Sequence, residues 1–415
     1  MGTPARRSPQ VTPAPRLVLL LSWLVAFNLR TGFIGLGPVL PALAHDLGLS
    51  NTSASMLVSV PALMMGLMAV AGGALVDGWG ASRVAALGLA LVAAGGLRAT
   101  VGSLPALLAI TAAFGIGIGL AQPALPRLMS AVFPGRVGVA TGIYASGMIA
   151  GSILAALLTA PAQARVAMMA GWRGPLLFWG ALAGATLLVW LIVIRPWAWS
   201  GNAGRAATAA NIEESIAWSP WRDRRVWMIS LLFATQGLAY YLLVAWLPAV
   251  YDGLGVDATG AGARFAIFNA AMLPSILGFP ALSDRIGSRR APCLAASLLF
   301  VAGSLGLLLA PTAATWTWVW PAIAGAGVSG LFALSLVLPV DVAPGPRLGA
   351  AAGMTLAIGY AGSAAGPVLA GVVRDLTGSF EMALLILPLF GGLMALLSLL
   401  VPELPSRVIV PATVD

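Results

Sequence analysis

The stretch "AFNLRTGF", residues 26–33, places a guanidinium inside an apolar run that extends from Leu17 to Leu43. Along a helix, Arg30 lies roughly 20 Å from Arg16 and roughly 16 Å from Pro41, too deep for its side chain to snorkel to either end of the run. A charge at that depth is unfavourable by ~2.5–3.5 kcal/mol on insertion scales, so it must face a cavity or a partner. All 13 acidic residues fall in loops, tails or helix ends, which leaves no mid-run carboxylate to neutralise it. Two readings follow. The planar fork binds a carboxylate or another small oxyanion, or it is held by carbonyls, hydroxyls and water.

The second half of the chain supplies neutral polar groups at similar depth. In "FATQGLAYYLLVAWLP", Gln236 and Tyr240 are four residues apart and share a helix face, whereas Tyr241 is turned about 100° from Tyr240. Tyr144 in "GIYASGM" and Asn269 in "FAIFNAAM" are further mid-run candidates, each suited to contacting a solute or to bonding a neighbouring helix. Asn28, two residues from Arg30, points elsewhere. Arg127, in "QPALPRLMSAVFPGR", lies toward one end of its run, where snorkelling competes with a second anion site on an exit path. Enzyme chemistry finds no footing. The sole His45 stands beside Asp46, the sole Cys293 opens an apolar run, and there is neither a metal-ligand cluster nor a Gly-x-x-x-x-Gly-Lys loop. The sequence therefore predicts no catalytic residue, no metal site and no cofactor.

The elements that must position these residues are read from hydropathy. Charged residues make up 8% of the 415 positions and hydrophobic residues 60%, proportions that require most of the chain to face lipid or other membrane helices. Twelve apolar runs emerge, near 17–43, 53–76, 84–102, 104–133, 137–160, 174–195, 225–250, 259–282, 291–310, 315–340, 348–371 and 380–401. The predicted organisation is a tail at 1–16, six helices over 17–195, a linker at 196–224, six helices over 225–401 and a tail at 402–415. Within the linker, "NIEESIAW" forms either a short amphipathic surface helix or a solvated tether.

The basic residues are all arginine, and the formal charge of +9 is spread over short loops instead of forming one basic face, which argues against a nucleic-acid partner. With the N-terminus inside, about 15 arginines fall in cytoplasmic segments and only about five, Arg98, Arg165, Arg173, Arg264 and Arg374, on or near the outer side. The positive-inside rule thus predicts both termini in the cytoplasm.

The two halves look like copies. "VDGWGASR" (76–83) and "SDRIGSRR" (283–290) both read Asp-x-x-Gly-x-x-Arg, with Asp77 and Asp284 separated by 207 positions. The same offset relates Pro41 to Pro248 and Gly48 to Gly255, and "FPGRVGVATG" (133–142) matches "APGPRLGAAAG" (343–353) after a small shift. Glycine-rich faces at "GIGIGLAQP" (115–123) and "GSAAGPVLAG" (362–371) allow close helix approach.

These features resemble the major facilitator superfamily, whose signature loop follows its second helix and is echoed after the eighth. The first copy departs from the family pattern at Gly78, Ala81 and Ser82, where basic residues are usual, and the second copy has Pro280 where a glycine is common. The stretches "FNLRTGFIGLGPVLPAL", "LPRLMSAVFPGRVGVATGIYASGM", "GWRGPLLFWG" and "QGLAYYLLVAWLPAVYDGLG" are similar to the cyanate and nitroimidazole permease branch. The resemblance implies an all-α integral membrane fold of twelve helices in two pseudo-symmetric bundles, with the first helix bordering a central cavity. It further implies a bacterial inner-membrane permease, active as a monomer, that moves a small anionic or planar solute by alternating access. Arg30, Tyr144, Gln236, Tyr240, Tyr241 and Asn269 are then the expected substrate contacts. Asp77, Gly80 and Arg83, with Asp284, Gly287 and Arg290, become the expected gating loops. A proton-coupled exporter of drug-like compounds and a transporter-like sensor are the alternatives; the exporter would be expected to carry an intramembrane carboxylate.

Overall fold

The computed structural model describes residues 14–165, 171–198, 219–310, 315–343 and 347–403. Most of the two tails and "NIEESIAW" lie outside the described residues. The chain is a succession of helices: α1 (Pro15–Ile34), α2 (Leu36–Asp46), α3 (Asn51–Trp79), α4 (Ala81–Ala94), α5 (Leu104–Val132), α6 (Val137–Arg165), α7 (Arg173–Ala198), α8 (Arg224–Gly253), α9 (Ala258–Ala270), α10 (Met272–Ile286), α11 (Arg290–Leu309), α12 (Trp316–Val342), α13 (Leu348–Ser363), α14 (Ala365–Thr377), α15 (Phe380–Leu384) and α16 (Ile386–Leu399). A 3₁₀ turn, Gly95–Thr100, extends α4.

Among the described residues, twelve spans are long and apolar enough to cross a bilayer, and they follow the twelve predicted runs in order. The first, eighth and eleventh are each bent in mid-course, at Gly35, Ala271 and Ala364, and the twelfth near its start, at Leu385. Every bending residue keeps right-handed helical dihedrals, such as φ −63° and ψ −13° at Gly35, so the run turns without opening into a loop. Ser50 caps α3 by accepting from the Ser53 N–H at 3.1 Å, and Asp223 caps α8 by accepting from the Arg225 N–H at 2.8 Å.

The helices form two compact units, Met1–Glu214 with Ala258–Ala266, and Ser215–Asp257 with Ile267–Asp415. In the first, the glycine-rich face of α5 brings helices to backbone contact: a Cβ on Gly115 would stand 2.5 Å from the Pro61 Cα, and one on Gly117 2.6 Å from the Gly88 carbonyl oxygen. In the second, Gly362 and Gly366 do the same against Ala234 and Leu238 of α8.

The duplication is written in the backbone. Six glycines among the described residues have positive φ, and they fall into three pairs, Gly48 and Gly255 (60° and 79°), Gly80 and Gly287 (89° and 72°), and Gly171 and Gly378 (both 71°). The members of each pair are 207 positions apart. Left-handed turns recur at equivalent places because each half must end its helices at the same points, and only glycine does so without a Cβ penalty.

Candidate functional site

Arg30 projects from the middle of the first span and is half-buried. Its helix, α1, packs on α6 through small residues: Cβ atoms on Gly147 and Gly151 would strike the carbonyl oxygens of Trp23 and Phe27. Trp23 adds a hydrogen bond from Nε1 to the Ser146 Oγ at 3.1 Å. Both glycine contacts join residues 124 positions apart, so α1 and α6 run parallel in register. Tyr144 consequently lies level with residue 20, ten residues or roughly 15 Å along the axis from Arg30. The structure does not bring the two together.

The other face of α1 is committed to packing. Asn28 donates from Nδ2 to the Leu24 carbonyl at 2.8 Å and to the Thr186 Oγ1 at 3.0 Å. Just beyond Arg30 is a second intramembrane guanidinium with a different fate. Arg98, only 2% exposed, donates from Nε to the Gly95 carbonyl at 2.7 Å and from Nη2 to the Gly32 carbonyl at 3.2 Å. Its guanidinium carbon sits 4.5 Å from the centre of the Phe114 ring. Sequence reasoning placed Arg98 near a membrane face and gave it no role. The available signal was the run "GGLR": Gly95 carries no Cβ, which would otherwise fall 2.5 Å from Phe114, and that space admits ring and guanidinium together.

In the second unit, Gln236, Tyr240 and Tyr241 on α8 and Asn269 on α9 are all buried. The rings of Tyr240 and Tyr241 meet edge-on at 5.1 Å between centroids, and Tyr240 also stacks on Phe268, beside Asn269, at 6.0 Å. The 100° between consecutive residues thus does not separate the tyrosines. Gln236 lies one turn before Tyr240, and its Oε1 is buried without a hydrogen-bond partner among the described residues. A buried amide oxygen left unsatisfied has the capacity to accept one further hydrogen bond.

A twelve-span duplicated helical chain with a guanidinium at mid-span invites comparison with known transporters. Residues 22–367 and 279–413 match the Major Facilitator Superfamily profile. The chain belongs to the Major Facilitator Superfamily. This facilitator is 27% identical to the cyanate transport protein CynX of Escherichia coli over 88% of its own length and 92% of that protein's. It is also 27% identical to the 2-nitroimidazole transporter of the same organism, covering 92% and 95% of the two chains. Among solved structures, a bacterial homologue of the human lysosomal transporter Spinster superposes with a TM-score of 0.76 over 93% of this chain and 96% of that one, at 14% identity, which speaks for the fold alone. The protein is accordingly a multi-pass membrane transporter of the facilitator fold, resembles the cyanate and nitroimidazole branch, and is not an enzyme.

The facilitator's two signature loops differ in how their charges are used. Asp77 stands 3.6 Å from the Arg127 Nη2, with both side chains about half exposed. Arg127 therefore meets the first loop, a pairing that its helix-end position alone did not reveal. Gly80, at φ 89°, makes the turn, and Arg83 is exposed. In the second loop the organising cation is Arg289, not the expected Arg290. Arg289 donates from Nη1 to Asp284 at 2.7 Å and to the Ser283 Oγ at 2.9 Å, and from Nε to Asp341 at 2.8 Å. Its backbone N–H reaches Glu403 at 3.3 Å. Burial works against the Arg289 charge, but the hydrogen bonds to Asp341 and Asp284 outweigh it and hold its pKa above the ordinary arginine value. Arg290 turns instead to the Val401 carbonyl, at 3.3 Å from Nη2, and to Glu403 at 3.8 Å. The tandem "SRR" offered two candidates, and only the helix start at Arg290 distinguishes them: Arg289 precedes α11 and points back into the loop.

Proposed function

We propose that this facilitator is a secondary transporter for a small anionic or planar polar solute, and that Arg30 is its principal anion-binding residue. The supporting observation is a guanidinium carried at mid-span and left half-buried, in the same unit in which Arg98 is sealed among carbonyls and an aromatic face. The planar fork of an arginine half-exposed at membrane depth matches the geometry of a ligand carboxylate or oxyanion. Gln236 and Tyr240 or Tyr241 are proposed as neutral hydrogen-bonding groups for the solute. Transport proceeds by alternating access in the bacterial inner membrane, with both termini cytoplasmic and the Asp77 and Asp284 loops gating. The arginine distribution supports that orientation.

The relatives suggest two probes, cyanate for an anion and 2-nitroimidazole for a planar ring. The test is uptake or binding of each by monodisperse protein in liposomes. Arg30→Ala should weaken anion binding by roughly ten- to more than hundredfold, the value of one or two charge-assisted hydrogen bonds, and Arg30→Lys should not restore it because the fork is lost. Near-wild-type anion affinity in folded Arg30→Ala protein would remove the assignment.

A further inference from the structure

The third pair of left-handed glycines marks a corner that the two units build differently. In the first unit Gly171 turns the chain into Trp172 and Arg173, both of which hold Asp46. The Trp172 Nε1 donates to Asp46 Oδ2 at 2.9 Å, and the Arg173 Nη1 donates to the same oxygen at 2.8 Å. The Arg173 guanidinium also lies 4.3 Å from the centre of the Trp172 ring. Indole, guanidinium and carboxylate together fill the corner.

At an offset of 207, the second unit has Gly378 at the turn, Ser379 for the tryptophan, Phe380 for the arginine and Gly253 for the aspartate. The anion and its two donors are gone, and a cavity of about 260 Å³ stands there, lined by Gly253, Leu254, Leu307, Arg374, Phe380 and Glu381 among others. Two charges of opposite sign border it. Arg374 lies 4.7 Å over the centre of the Phe380 ring, and among the described residues neither Arg374 nor Glu381 takes part in an ion pair. The corner gathers the ends of α8, α11 and α14 and the start of α15, at the end of the unit opposite the Asp284 loop. Leu309, next in the chain to the lining Leu308, and Leu376, two residues before the lining Gly378, are 76% and 81% exposed, apolar surface of the kind that lipid tails cover.

We infer that this corner binds a phosphate–ammonium zwitterion, the headgroup of an aminophospholipid in the adjoining leaflet. The phosphate is held by Arg374, the primary ammonium by Glu381, and the first acyl carbons lie against Leu254, Leu307 and the exposed leucines. An Arg fork suits phosphate, a free carboxylate suits a three-donor ammonium, and a lipid supplies the apolar length that would cover the exposed leucines. The first unit needs no such ligand, because Asp46 already occupies its donors.

Native mass spectrometry of the full chain, titrated separately with phosphatidylethanolamine, phosphatidylcholine and phosphatidylglycerol, tests this. Wild-type protein should retain phosphatidylethanolamine roughly tenfold better than its trimethylated counterpart phosphatidylcholine, the factor of a single charge-assisted hydrogen bond. Glu381→Gln should abolish that preference while keeping phospholipid binding, and Arg374→Gln should weaken all three lipids. Equal retention of the two zwitterionic lipids by the wild type, which needs no variant, overturns the proposal. So does a preference that survives both substitutions. Displacement of the lipid by an equal concentration of phosphoethanolamine would assign the corner to soluble zwitterions and overturn the lipid source.

Discussion

Position 30 in the first unit is an arginine, and its counterpart 207 residues later, Gly237, has no side chain at all. At Gly237 the helix α8 is pressed so closely on α13 that a Cβ would run into the Ser363 hydroxyl and stand 2.9 Å from its Cβ. The second unit packs its helix against a serine side chain at the position where the first carries a charge. Its polarity is displaced by one residue to Gln236 and one turn on to the two tyrosines. The loops invert this pattern. There the first unit pairs Arg127 with Asp77 in an exposed contact, whereas the second has a buried arginine shared by two carboxylates. Duplication has kept the backbone plan and divided the chemistry, with the mid-span cation in one half and the firmly bonded loop in the other.

The largest expected effect breaks the loop contrast from the second unit's side. The side chain of Arg289 is 9% exposed and that of Asp341 18%, so Arg289→Ala strands a mostly buried carboxylate. Breaking such a pair should cost about 3 kcal/mol, the lower end of the range for buried pairs, because the other partner, Asp284, is 69% exposed and can rehydrate. A thermal-unfolding series in detergent measures it. Arg290→Ala in the same series should shift the transition far less, and equal shifts would return the organising role to Arg290.

A middle-sized effect tests the close approach of α8 and α13. Gly237→Ala should destabilise by about 1–3 kcal/mol, the cost of overpacking. Ser363→Gly alone loses the Ser363 hydroxyl's hydrogen bond to the Gly359 carbonyl, 2.7 Å, but it removes the atoms that the new methyl would strike. The double variant should therefore be more stable than the sum of the two single changes predicts, a coupling that a double-mutant cycle reads directly. Strict additivity would mean that the contact is not the constraint.

Much of this architecture was legible in the residues, for local reasons. Twelve apolar runs follow from hydropathy alone, and the pairs Gly48 with Gly255 and Gly80 with Gly287 stood out because their neighbours, such as Pro41 with Pro248, repeat as well. The pair Gly171 with Gly378 was not legible, since Trp172 and Arg173 became Ser379 and Phe380 and only the dihedrals preserve the match. Side-chain partners escaped for a similar reason. Residue type alone does not tell Arg289 from Arg290, and nothing local foretells that Arg98 bonds the Gly32 carbonyl 66 residues away. The placement of Tyr144 well below Arg30 depends on the register of α1 against α6, which glycine contacts set and composition does not encode.

The smallest effect belongs to the first loop and sharpens the contrast by its salt dependence. Asp77 and Arg127 are 62% and 44% exposed at 3.6 Å, a geometry in which solvent screens most of the attraction. Asp77→Asn should lower stability by no more than about 1 kcal/mol. What remains should vanish on raising the ionic strength to about 1 M, where the Debye length falls to about 3 Å. Asp341→Asn, tested beside it, should give a larger loss that changes little with salt, because its pair with Arg289 is mostly withdrawn from solvent. Two losses of the same size with the same salt response would mean that the loops are equivalent, and the division of labour between the units would then rest on Arg30 and Gly237 alone.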